Sequence, residues 1–326
     1  MKSILVTGGA GYIGSHACKR LALAGFLPIC FDNLSTGHAD FVRWGPLIQG
    51  DLADTILLSK LLAEYQPLAV LHFAASALVG ESMHNPSLYY RNNVAGSLSL
   101  FEAMRDNDVR TIVFSSSCAT YGHPQSLPIT ESHPQQPISP YGRSKYMVEQ
   151  MLNDFAQAHG FRATSLRYFN AAGADRDLEI GERHNPETHL IPSLIEALLG
   201  QRSHCSLYGS DFETPDGSAI RDYIHVEDLA DAHLLALQWL LNEPSGHYTF
   251  NLGTGTGHSV LQVAEMVQSC SPKKLPLTLE PRRSGDPAFL LADAANATKI
   301  LRWMPMRSNL HQIISSAWSW HSNSVG

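Results

Sequence analysis

Short apolar runs alternate with amphipathic stretches through the first half of the chain. KSILVT (2–7) is apolar with β-branched members and ends at glycines, and residues 12–24 then carry a helical period that stops at Gly25. LPICF (27–31), PLIQGD (46–51), AVLHFA (69–74), RTIVFSS (110–116) and RATSLRYF (162–169) read as further strands. Helical stretches near 54–64, 86–107 and 140–159 separate them. Runs that stay apolar predict strands buried on both faces. The repeated strand–helix–strand order predicts an α/β fold with a Rossmann-type doubly wound parallel sheet.

The second half is less regular. ADRDLEIGERHNPETH (174–189) has few apolar residues and reads as a long loop, of a kind that often carries function. Helical periods return near 190–199, 226–241, 258–269 and 307–319. Strand candidates lie near 205–208, 220–224, 247–251 and 276–279. The expectation is a first domain over 1–172, to which roughly 221–252 returns, and a smaller interleaved α/β domain from 173–220 and 253–326.

With 326 residues and 44% hydrophobic positions, the chain is long enough for one large unit or two joined domains. A formal net charge of -7 argues against a general nucleic-acid binder, which carries a basic face. Cys18, Cys30, Cys118, Cys205 and Cys270 are scattered without a C-x-x-C pair, so free thiols in a reducing compartment are expected, and no metal. MKSILVTGG meets glycine too early for a secretory leader, and no run of about 18 apolar residues offers a membrane span. A cytoplasmic protein with no membrane or nucleic-acid partner is the expectation.

GGAGYIG (8–14) lies between the first predicted strand and the first predicted helix. Gly8, Gly11 and Gly14 let the backbone turn tightly and approach a pyrophosphate, while the helix start supplies N–H groups and a positive dipole end. Asp32 ends the second strand. A carboxylate there accepts from adenosine ribose hydroxyls and repels a 2′-phosphate, which favours NAD over NADP. Asp51 and Leu52 follow the third strand, where they can flank an adenine. HFAAS (72–76) ends the fourth with small residues that permit close approach, and His72 reads as a locally satisfied core residue.

SPYGRSK (139–145) opens the helix 140–159. Tyr141 and Lys145 stand four apart and share a helix face. A phenol with the ordinary pKa of about 10 is a poor base at neutral pH. A neighbouring ammonium lowers that value, and a positive nicotinamide lowers it further. Such a tyrosine can take a proton from a hydroxyl while hydride leaves the same carbon. FSSSCATYG (114–122) places Ser115, Ser116 and Ser117 at a strand end one element earlier, where a serine can orient that hydroxyl.

The glycine motif, Asp32, the serine-rich strand end and Y-x-x-x-K, in that order, resemble the short-chain dehydrogenase/reductase superfamily. The length resembles its extended branch, which acts on nucleotide sugars. DNLSTG (32–37), HFAAS with VGES (79–82), NNVAG (92–96), RYFNAAGA (167–174), RDYIHVEDLADAH (221–233), NLGTGTGHSV (251–260) and PRRSGDPA (281–288) resemble the UDP-glucose 4-epimerase family, over nearly the whole chain. The resemblance implies Tyr141 as catalytic base and acid, Lys145 holding the nicotinamide ribose and tuning Tyr141, and Ser117 bonding the hydroxyl at sugar carbon 4. It implies NAD contacts from the glycine loop, Tyr12, Ile13, Asp32, Asn33, Asp51, Leu52, Phe73, Ala74, Ala75, Asn93, Ser115 and Tyr168. For a UDP-sugar it implies Asn170, Leu190, Tyr208, Arg221, Arg283 and Asp286 on the nucleotide, with Leu290 beside the sugar. Two arginines suit a doubly charged diphosphate. The implied reaction interconverts UDP-galactose and UDP-glucose by oxidation at carbon 4, rotation of the 4-keto sugar and re-reduction, with NAD bound throughout. The family also implies a homodimer through the helices 86–107 and 140–159.

Three positions depart from the family pattern. A lysine common in epimerases is Ala77 here, an asparagine before the leucine of the UDP site is His189, and Leu290 is smaller than the tyrosine of some bacterial members. The last departure leaves N-acetylated sugars or UDP-pentoses open as substrates. Residues 117–121 lack the carboxylates that nucleotide-sugar dehydratases usually carry there. A related nucleotide-sugar reductase and a non-catalytic NAD-binding regulator are the competing readings. Locally, Arg221 with Asp222 reads equally as an ion pair, and Arg282 with Arg283 as a solvated surface pair.

Overall fold

The computed structural model describes residues 1–283 and 285–323. Ser284 of the PRRSGDPA motif and residues 324–326 of the expected second domain lie outside the described residues. In chain order the first half forms β1 (Ser3–Thr7), α1 (Tyr12–Leu23), β2 (Leu27–Asp32), β3 (Leu47–Gln49), α2 (Thr55–Tyr65), β4 (Ala69–His72), α3 (Val79–His84), α4 (Pro86–Tyr89), α5 (Gly96–Asp106), β5 (Thr111–Ser115), α6 (Pro140–His159) and β6 (Arg162–Tyr168). The second half forms β7 (Asn170–Ala172), α7 (Leu190–Leu199), β8 (Cys205–Tyr208), β9 (Ile220–His225), α8 (Val226–Leu240), β10 (Gly246–Leu252), β11 (Gly257–Ser259), α9 (Val260–Gln268), β12 (Leu277–Glu280), β13 (Phe289–Leu290) and α10 (Leu310–Asn323).

Seven strands pair in parallel in the order β10-β6-β5-β4-β1-β2-β3, the predicted doubly wound sheet. Successive residues point to opposite faces. Ile4 and Val6 therefore join a core with α1 and α8, whereas Leu5 joins one with α2, α5 and α6. Burial on both faces is why these runs are apolar throughout rather than alternating. The chain winds outward from β1 to β3, then resumes at β4 on the other side of β1. Crossovers leave this point in opposite directions, and open α/β sheets bind ligands at the strand carboxyl ends there.

Outside this sheet, β7, β11 and β13 pair with β9, and β8 pairs with β12. A third core under α7, α9 and α10 includes Leu194, Ile195, Val263 and Ile313. β7, β11 and β13 were not expected from the sequence, because two or three residues carry no readable period and are held by distant partners. The expected helix 86–107 is α4 and α5 joined by a π-helical stretch at Tyr90–Ala95. The pattern near 258–269 starts as helix only at Val260, because Ser259 and Gln262 form a reciprocal cap. All five cysteines are free. Among the described residues no helix is long and apolar enough to cross a membrane.

α6 is the element on which the site depends. Ser139 accepts from the Gly142 N–H at 3.1 Å as N-cap, Pro140 fits the first turn, and Gly160 ends the helix at φ 67. Tyr141, Lys145 and Glu149 recur every four residues on its buried face. Glu149 receives Arg167 of β6 through two bonds, Nε to Oε1 at 3.0 Å and Nη2 to Oε2 at 2.5 Å. Ser116 and Gln135 donate to the same carboxylate at 2.5 and 2.9 Å. Burial acts to raise the Glu149 carboxyl, but Arg167 and these donors outweigh it and hold it below its usual value. The pair's contribution is therefore present above the ordinary carboxylate pKa and lost as pH falls through the lowered one.

Arg167→Met strands Glu149 and is expected to cost about 3–5 kcal/mol in urea denaturation. Adding Glu149→Leu should recover most of that loss, because no buried charge then remains unpaired. No recovery in the double variant would show that the pair is not what holds α6.

Candidate active site

The loop after β1 places backbone, not side chains, at the carboxyl end of the sheet. A Cβ on Gly14 would lie 2.1 Å from the Gly8 carbonyl oxygen, and one on Gly8 would lie 2.6 Å from the Ala74 nitrogen. Larger residues would therefore push the loop off the start of α1 or off β4. No side chain caps α1 at Gly11, and its first turn carries no acid, so its positive end is left for an anion. Asp32 is buried and accepts from Ala10 N–H at 3.0 Å and Leu34 N–H at 2.8 Å, leaving acceptor capacity on both oxygens. Asn33 donates to Asp51 at 2.8 Å, tying the ends of β2 and β3 together. Phe73 and Ala74 donate their N–H groups to the Thr7 carbonyl at 2.9 and 3.0 Å, closing the far wall. A glycine cradle, an uncapped helix start and a buried carboxylate at neighbouring strand ends fit a dinucleotide.

The reactive pair lies one strand further on. The Lys145 ammonium donates to the Ser115 carbonyl at 2.8 Å and stands 5.9 Å from the Tyr141 ring centroid. Ser115 Oγ meets the Tyr168 hydroxyl at 2.7 Å. Ser117 accepts from the Ala119 N–H at 3.1 Å and lies beside the Tyr141 phenol. A Cβ on Gly142 would lie 2.4 Å from the Ala119 carbonyl, so a residue with no side chain is what lets α6 approach the turn carrying Ser117.

The protonation state differs from the sequence expectation. Burial pushes the Tyr141 phenol well above its ordinary range, Tyr168 adds to the rise, and Ser117 opposes it. Lys145 does not counter this, because burial pulls its own pKa down to about 7 and its nitrogen is turned to Ser115. Taken alone, the protein keeps Tyr141 neutral rather than poised as phenolate.

The residues expected to hold a UDP group fall into two contacts. Arg221 of β9 donates to Asp286 at 2.6 Å, not to its neighbour Asp222. Arg283 lies over the Tyr208 ring at 4.0 Å, while Arg282 turns away to Asp211 and Phe212, so the two arginines are not one solvated pair. Leu290 pairs in register with Arg221, and it packs against the same small core of Tyr121, Ile129, Phe169 and Ala292 that Cys118, the residue after Ser117, packs against. Arg221 also acts on the Cys118 thiol, which links this side to the reactive turn. Asn170 opens β7 and Leu190 opens α7. Asn93 commits its amide to Ser76 and Ser144, so it braces the loop after β4 against α6. His72 is satisfied by Thr7 at 2.7 Å and Ser97 at 2.9 Å, as expected.

Sequence reasoning passed over Glu149, Arg167 and Gly142, and read Asp222 only as a possible partner of Arg221. Glu149 was findable, since it continues the four-residue spacing from Tyr141 and Lys145. Asp222 is fully buried and accepts from the N–H groups of Thr254, Gly255 and Ala292 at 2.8, 2.9 and 3.1 Å. It fixes the strand end from which Leu290 and Ala292 approach. Nothing in its local sequence signals those three distant partners.

The fold and this arrangement define a dinucleotide-dependent enzyme with a tyrosine–lysine centre, and the chain belongs to the NAD dependent epimerase/dehydratase family, whose model matches residues 4–253. It is 50% identical over 323 residues to UDP-glucose 4-epimerase of Rhizobium leguminosarum bv. trifolii, covering 99% of this chain and 98% of that one. The crystal structure of UDP-glucose 4-epimerase from Brucella ovis in complex with NAD superposes with a TM-score of 0.95 at 49% identity, covering 98% of both chains. UDP-glucose 4-epimerase from Bifidobacterium longum in complex with NAD+ and UDP superposes with a TM-score of 0.94 at 35% identity, covering 99% of both chains.

Asp222→Ala leaves the buried Ala292 N–H and the less buried Thr254 and Gly255 N–H groups without their acceptor and is expected to cost about 1–3 kcal/mol in thermal or urea denaturation. Asp222→Asn keeps one acceptor oxygen and should lose less. Equal stability of wild type and the alanine variant would contradict this role.

Proposed function

We propose that this chain interconverts UDP-galactose and UDP-glucose by transient oxidation at sugar carbon 4, with NAD retained through each cycle. The observation that carries this reading is the meeting of Ser117, Tyr141 and Lys145 at the end of β5, in the same sheet as the glycine loop after β1, with the Arg221 charge close enough to act on the adjoining Cys118. Bound NAD supplies the hydride acceptor and, when oxidised, a formal positive charge.

Tyr141 takes the proton of the carbon 4 hydroxyl and later returns it. Burial holds its phenol protonated until positive charge enters the site, so the base form arises in the loaded enzyme. Lys145, with a pKa near 7, is fixed on Ser115 and is placed to hold a ribose hydroxyl and exchange a proton. Ser117 orients the sugar hydroxyl. Asp32 accepts from the adenosine ribose. Arg221 and Arg283 hold the diphosphate, Asp286 the uridine ribose and Tyr208 the uracil. The firm contacts thus lie on the nucleotide, which lets the sugar turn and present its other face. The large sheet carries the cofactor side of this division, and α7, β8, β9 and β13 carry the nucleotide side.

Leu290 is half-buried and short, which favours a wider sugar range that includes UDP-N-acetylhexosamines or UDP-pentoses. The homodimer face is assigned to α5 and α6, where Leu98 and Met147 are exposed. Free thiols fit a reducing cytoplasm.

Tyr141→Phe should lower turnover of UDP-galactose at least about 100-fold, the scale of lost acid–base catalysis. Dinucleotide released from the denatured variant should match wild type. Undiminished turnover would remove Tyr141 from the chemistry, and a reductase would instead consume NADH in step with product.

A further inference from the structure

Two acidic clusters lie outside this site, and they differ in one respect. Asp175, Asp177 and Glu179 surround the Lys19 ammonium at 2.8, 2.8 and 2.7 Å, so the chain supplies their cation. Glu182, His184, Glu187 and His189 have no such partner. Among the described residues, the ion-pair partners of these two carboxylates are the two imidazoles alone. All four side chains come from GERHNPETH, ahead of α7, and each presents one nitrogen or oxygen within 4.8 Å of the others.

Burial makes the arrangement costly as it stands. Glu182 and Glu187 are 3% and 6% exposed. Glu187 Oε1 accepts from the N–H groups of Thr188 and His189 at 2.8 and 2.9 Å. Glu187 Oε2 and His184 Nδ1 are buried with no hydrogen-bond partner. Interior polar atoms left in this state carry a desolvation penalty with no compensating bond. The two atoms face each other at 3.4 Å without the alignment of a hydrogen bond, whereas a metal ion would bond both directly.

We propose that Glu182, His184, Glu187 and His189 form a binding site for a zinc ion. Imidazole nitrogen and carboxylate oxygen both suit zinc, and four ligands close its tetrahedral shell. Two carboxylates balance its two positive charges. With metal–ligand bonds of about 2.1 Å, ligand atoms in a tetrahedron lie about 3.4 Å apart. His184 Nδ1 lies 3.4 Å from Glu187 Oε2 and 3.5 Å from Glu182 Oε1. His189 Nδ1, 4.0 Å from Glu187 Oε1, is hydrogen-bonded to Glu182 and would exchange that bond for the ion. His189 is half-exposed and gives the ion an entry path. The closed ligand set makes the ion structural. It would clip the loop to the start of α7, which carries Leu190, and the His184 ring contacts Tyr12 of α1 with ring centroids 6.5 Å apart.

The test uses the whole enzyme with its dinucleotide. After chelation, protein is equilibrated with zinc chloride, dialysed into metal-free buffer and counted by elemental analysis. About one zinc per chain should remain, and zinc should raise Tm. His184→Ala and Glu187→Gln should each bind zinc at least ten-fold more weakly and lose the Tm response, while His204→Ala, outside the cluster, should behave as wild type. Zinc lost on dialysis from wild type, or held equally by the cluster variants, would overturn the proposal. A measurement on wild type alone guards against misfolded variants: cobalt in place of zinc should give the intense visible bands of a tetrahedral site, and their absence would also overturn it.

Discussion

Glu149 and Arg167 meet in the interior, where either charge alone would be expensive. Their two parallel bonds fix α6 against β6, and the rest of the site hangs from that contact. Arg167 also donates to the Tyr121 hydroxyl at 2.9 Å, and Tyr121 donates to Asn251 of β10 at 2.6 Å. Ser116 joins the same carboxylate from the end of β5. One buried network therefore spans the carboxyl ends of three neighbouring strands and the reactive helix. Tyr141 and Lys145, two turns and one turn before Glu149 on the same face, inherit their positions from it.

The same burial sets the chemistry. A phenol and an ammonium taken out of water both favour their neutral forms. The resting protein therefore holds Tyr141 protonated and brings Lys145 near neutrality. Positive charge brought into the site would offset part of that cost for the phenolate.

Much of this was readable from the chain. Six apolar runs told most of the sheet, because burial on both faces leaves its signal along a strand, whereas β10 is buried only over Phe250–Leu252 and read more faintly. The glycine loop, Asp32 and the tyrosine–lysine pair were readable because each depends on local spacing beside a recognisable element. The rise that burial imposes on the Tyr141 phenol was not readable, since spacing reports that Lys145 is near but not how far both groups are taken out of water. Arg221 gave no hint that it would reach past Asp222 to Asp286, 65 positions away in the chain. β7, β11 and β13 were invisible because their pairing comes from distant segments. GERHNPETH read as loop, which it is, while the convergence of its side chains is a property of the fold.

The most direct measurement of the central claim follows the hydrogen on carbon 4. Purified protein is given UDP-galactose deuterated at that carbon, with no added NAD, and the UDP-glucose formed is examined by mass spectrometry. The account predicts product that keeps its deuterium, with no net NADH. Loss of the label to solvent, or accumulation of reduced dinucleotide in step with product, would contradict it.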